Sequence, residues 1–88
     1  MNAFDFARKL VVSEVRKTNL VDLGDVRRLV KQLDWIYTVL SECDENPHAL
    51  LDQLAPMMTV LQNGIKDGLT VAEVERIFLI LRRLEIQS

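Results

Sequence analysis

Residues 69–86, LTVAEVERIFLILRRLEI, carry a full helix-start signal followed by more apolar side chains than one face of a helix can hold. Thr70 and Glu73 stand three apart as a capping box, in which each side chain satisfies a backbone N–H left unpaired at a helix start. Leu69 before the cap and Val74 inside it form the matching hydrophobic staple. From there Val74, Ile77, Phe78, Leu81 and Leu84 recur at helical spacing and define the expected core face. Leu79, Ile80 and Ile86 fall outside that set, and a helix apolar nearly all round is normally covered on several sides. The chain therefore needs either a bundle that surrounds this helix or a partner that covers it.

Upstream, the same period recurs three times. Phe4, Ala7, Val11 and Val15 share one side of a first helix expected over residues 3–18, with Phe6 and Leu10 widening it and Val12 set apart. The opposite side carries Asp5, Lys9, Ser13 and Arg16. Asn19 to Gly24 reads as a compact turn tucked against the core. A second helix starts at Asp25, or slightly earlier at Asp22, both good N-cap residues. Its stripe is Val26, Leu29, Val30, Leu33, Ile36, Tyr37 and Leu40, with Cys43 one turn further on. Trp35 and Val39 fall on the back of this helix beside Arg28, Lys31 and Gln32.

Asn46-Pro47 then reads as cap and first residue of a third helix. Its face is Leu50, Leu51, Leu54, Met57, Met58 and Leu61. Pro56 lies inside this pattern, yet the apolar phase continues across it, which predicts one kinked helix in preference to two. Asn63-Gly64 is expected to end it in a Schellman motif, with Ile65 folding back on Val60 and a short loop leading to the last helix.

Four helical patterns and short connections predict an all-α fold, an antiparallel bundle of about four helices in a single domain over residues 1–88, with a dimer of helical hairpins as the competing arrangement. A chain of 88 residues buries only roughly 64% of its extended surface. That leaves little interior for surplus apolar residues.

The same residues exclude several chemistries. Cys43 is the single cysteine and His48 the single histidine. The run ECDENPH thus falls short of the four ligands a zinc site wants, and reads better as a charged corner between helices. A thiol nucleophile would need a base placed on it, and no second histidine is present to serve. Gly24, Gly64 and Gly68 form no phosphate-binding loop. Asp44 and Glu45 are neighbours, where acid–base pairs converge from separate elements. No catalytic, cofactor or metal residues are assigned, and no small-molecule substrate is implied.

No 18-residue apolar window exists to span a membrane. Asp5, Arg8 and Lys9 interrupt the N-terminal stretch where a secretory signal would be apolar, and the lone cysteine fits a reducing compartment, so a cytoplasmic location is expected.

A net charge of −2 lacks the basic footprint of a nucleic-acid binder. The charges are nevertheless uneven. Residues 8–31 have a local balance of +4 and residues 32–75 one of −7, a split able to steer partners into register or simply to solvate helix faces. A helix-turn-helix DNA-binding regulator over residues 57–86 is the alternative from another class. The connection from Gly64 to Leu69 is long for that motif. Glu73 and Glu75 also occupy the end of the reading helix where Arg, Asn or Gln usually work.

The leading expectation is a small non-catalytic interaction module, an adaptor, chaperone-like escort or regulator that binds another protein or itself as a homodimer. Trp35, Val39, Leu79 and Ile86 would form its apolar centre, with Arg28, Arg76 and Arg83 at the rim, residue types concentrated in interface hot spots.

Overall fold

A computed structural model describes residues 3–42 and 48–86 of the chain. Four helices make up the fold: α1 (Ala3–Lys17), α2 (Leu23–Ser41), α3 (His48–Asp67) and α4 (Val71–Ile86). Among the described residues there is no strand. Packing runs around a ring, α1 on α2, α2 on α3, α3 on α4 and α4 on α1, which puts α2 and α4 on one diagonal of a four-helix bundle.

One cluster fills the middle. Val11 and Val15 from α1, Val26, Leu29, Leu33, Ile36 and Leu40 from α2, Leu50, Leu54, Met57 and Leu61 from α3, and Ile77, Leu81 and Leu84 from α4 are all buried in it. The α2 and α3 stripes are those expected from spacing, and α3 runs through Pro56 as one helix.

On α1, Phe6 is exposed and Val12 is half-buried, the reverse of the expected order. The reason lies in the neighbour. α4 packs along the Arg8 side of α1, which gives Val12 a surface to lean on and leaves Phe6 on the far side.

The caps decide the element boundaries. Asp22, not Asp25, caps α2: its side chain accepts hydrogen bonds from the N–H groups of Gly24 at 2.8 Å and Asp25 at 3.3 Å. Asp25 instead accepts from the Asn19 N–H and pairs with Arg28 one turn along. Of the apolar residues in this turn only Leu20 is buried, while Val21 and Leu23 stay at the surface.

The end of α3 differs from expectation. The helix passes through Gly64 and continues to Asp67, and Gly68 is the terminator, with φ of +82° and its N–H bonded to the Gly64 carbonyl at 2.8 Å. Only glycine takes that left-handed conformation without steric cost. Gly64 serves a different purpose. It is buried, and a Cβ there would lie 2.2 Å from a methyl group of Leu69, so its missing side chain is the space into which the incoming staple residue packs.

Two residues later the capping box forms as expected. The Thr70 N–H donates to Glu73 Oε1 at 2.9 Å, and the Glu73 N–H donates to Thr70 Oγ1 at 3.1 Å. Leu69 and Val74 both pack against the core. The residues 43–47, which hold Cys43 and the Asn-Pro cap, lie outside the described residues, as does the His48 side chain.

Candidate interaction surface

The local sequence dictates how α4 sits. Ile77, Ile80, Leu81 and Leu84 are buried on its inner face. Ile80 is thus a core residue rather than part of the surplus, and Phe78 moves the other way, 51% exposed. Two overlapping periods, one through Val74, Ile77, Phe78 and Leu81 and one through Ile77, Ile80, Leu81 and Leu84, fit the same stretch. Ile80 stands about 60° from Ile77 on one side, and Phe78 about 100° from it on the other. Packing against α3 covers the flank that Ile80 shares with Glu73 and Arg76, whereas the contacts with α1 beside Arg16 leave Phe78 in an open groove.

Those contacts are polar as well as apolar. Arg8 of α1, 3% exposed, donates from Nη1 to the carbonyl oxygen of Leu84 at 3.1 Å and pairs with Asp5 at 3.5 Å. Leu84 lies in the last turn of α4, where carbonyls have no partner within the helix, so the guanidinium acts as a C-terminal cap supplied by another helix. Arg16, two turns further along α1, pairs with Glu85. The two arginines hold the C-terminal end of α4 and determine which way its other face points. The expected core face of α1 passed over Arg8, yet the spacing carried a signal: Phe4, Val11, Val12 and Val15 stand at i−4, i+3, i+4 and i+7 from it, so the arginine lies inside the apolar sector.

What faces outward on α4 is a strip of Val71, Phe78, Leu79 and Ile86, all exposed, with Leu79 at 58% and Ile86 at 77%. Glu75 and Arg82 lie between them on the same side, within about 100° of arc. A groove of about 490 Å³ opens where this strip meets the end of α1, lined by Arg16, Phe78, Leu79, Arg82 and Glu85. On the other flank Arg76 borders a second groove beside Pro56 and Asn63 of α3, and Arg83 points outward one turn past Leu79.

The expected interface residues are all exposed, but they do not meet. Arg76, Leu79, Arg83 and Ile86 share the outer side of α4. Arg28, Trp35 and Val39 share the back of α2, where Trp35 is 61% exposed. Because α2 and α4 are diagonal, these two patches look in opposite directions and cannot be one apolar centre within a single chain. Spacing alone missed Val71 and Phe78, which complete the α4 strip.

Among the described residues no group of His, Cys, Asp and Glu side chains is placed to hold a metal ion, and no helix is long and apolar enough to cross a membrane. The connection between α3 and α4 is only Gly68 to Thr70, so the objection that it is too long for a helix-turn-helix falls away. The chemical objection stays. Glu73 is bound into the cap and Glu75 is exposed at the leading end of α4. No family model, curated protein or solved structure matches the chain.

Proposed function

We propose that this chain is a non-catalytic helical module that works by stoichiometric protein binding through the outer face of α4, as an adaptor, escort or regulator in the cytoplasm. One observation carries the reading: four large apolar side chains line up outside a helix whose inner face already fills the core. Burying a side chain of this size contributes roughly 1.5–3 kcal/mol. Arg76 and Arg83 on one flank and Arg82 within the strip supply the residue type that anchors interfaces.

A DNA-binding role is the second reading, favoured by the three-residue connection between α3 and α4 and opposed by the acidic opening of α4. It would show as affinity for duplex DNA that falls steeply with salt.

The test of the main reading is size-exclusion chromatography of the tagged chain in extracts of its own host. The wild type should elute as a complex, and Leu79→Asp should elute as the free chain with an unchanged helical circular dichroism spectrum. Retention of the complex by Leu79→Asp would remove α4 as the binding face.

A further inference from the structure

The outward strip of α4 reads the same from both ends. From Val71 the steps are four residues to Glu75, three to Phe78, one to Leu79, three to Arg82 and four to Ile86. The spacing is thus symmetric about the midpoint between Phe78 and Leu79. The chemistry is symmetric too, with one difference: Val71 mirrors Ile86 and Phe78 mirrors Leu79, whereas acidic Glu75 mirrors basic Arg82.

All six residues are exposed, and Glu75 and Arg82 form no hydrogen bond or ion pair with any described residue. A surface with this symmetry is complementary to its own inverted copy. That is the requirement of a two-fold interface, in which residue i meets j and j meets i.

We infer that the occupant of the α4 strip is a second copy of this chain, docked antiparallel across a two-fold axis at Phe78–Leu79, so that Glu75 of each protomer pairs with Arg82 of its partner. The inference rests on the reading of this strip as a protein-binding face. A parallel copy would set Glu75 against Glu75 and Arg82 against Arg82, so the charges specify direction while the apolar residues drive association. The contact is small. α4 has 16 residues and spans about 24 Å, so a helix pair alone falls at or below the lower end of stable interfaces. A reversible, micromolar dimer is expected.

The purified full chain, followed by sedimentation equilibrium from about 1 to 500 μM, should show a monomer–dimer equilibrium. Glu75→Arg should weaken it at least about tenfold, since it places like charges together twice. Adding Arg82→Glu to that variant should restore it. A cysteine cross-link in a Cys43→Ser background checks the direction without relying on stability. Leu79→Cys should form a disulfide dimer, and Ile86→Cys should not. Related Ile86 positions lie about 22 Å apart along an antiparallel pair, so Ile86→Cys should cross-link only when mixed with Val71→Cys. Cross-linking of Ile86→Cys with itself, or failure of the charge exchange to restore the dimer, would overturn the arrangement. A purified chain that stays monomeric at 500 μM would overturn the second copy as occupant. If the extract complex still forms in that case, and is still lost in Leu79→Asp, the protein-binding role of α4 stands.

Discussion

The diagonal helices α2 and α4 both carry large apolar residues on their outer sides, but in different ways. On α2 the inner stripe takes nearly all the apolar content, and Trp35 and Val39 sit outside among Arg28, Lys31 and Gln32. On α4 the apolar content is divided, with Ile77, Ile80, Leu81 and Leu84 buried and Val74 packed beside them, while Val71, Phe78, Leu79 and Ile86 are exposed outward. A single exposed aromatic is ordinary for a folded protein, because there is not enough polar surface to cover it. A row of four along one helix is a contact surface in waiting, since it can be covered all at once by one partner helix. Continuity, more than the size of any one side chain, separates the two faces.

Five substitutions would break or sharpen that contrast. The largest effect is expected between neighbours on α4. Ile80→Asp puts a carboxylate into the core and should cost more than about 3 kcal/mol, enough to unfold much of the population of a small domain. Leu79→Asp, one residue away, should change folding stability by no more than about 0.5 kcal/mol while abolishing association. Urea denaturation of both variants, read by circular dichroism, checks this. Equal losses would mean the two sides of α4 are not distinct.

Next is Arg8→Met, which keeps the buried stem and deletes the guanidinium. It leaves the Leu84 carbonyl without its donor, and about 1–3 kcal/mol of stability should go with it. Hydrogen exchange should show earlier opening of the C-terminal turn of α4 than of α2, the mark of a cap and not of general packing.

Thr70→Ala removes the acceptor of the Glu73 N–H and should cost about 1 kcal/mol. A midpoint unchanged in urea would mean the capping box adds nothing beyond the staple. Smallest is Trp35→Ala, expected within about 0.5 kcal/mol of wild type and without effect on self-association in the ultracentrifuge. Dimer loss in this variant would move the contact from α4 to α2.

Much of this architecture is legible in residue order. The α2 and α3 stripes and the Thr70–Glu73 box depend on neighbours within four positions, and local spacing specifies them fully. The misreadings share a cause. At Asn63-Gly64 and at Asp67-Gly68 the local chemistry offers two equivalent stops, and the choice falls to Leu69, which needs the gap at Gly64 to reach the core. Phe78 and Ile80 compete for one face of α4, and the choice falls to the neighbours: α3 covers the Ile80 flank, while Arg16 of α1 leaves Phe78 beside an open groove. Trp35 and Leu79 look like parts of one site on paper because both are surplus. Placing α2 and α4 on a diagonal separates them.

Residue order by itself determined that this chain is helical, that a capping box opens its last helix, and that its apolar content exceeds one inward stripe. Those properties follow from hydrogen bonds and side-chain periods within a single turn or two. Only the tertiary structure decided which surplus residues point inward and which outward faces are continuous. Rotation of a helix about its own axis is set by the helices beside it, and no period along the chain encodes that angle.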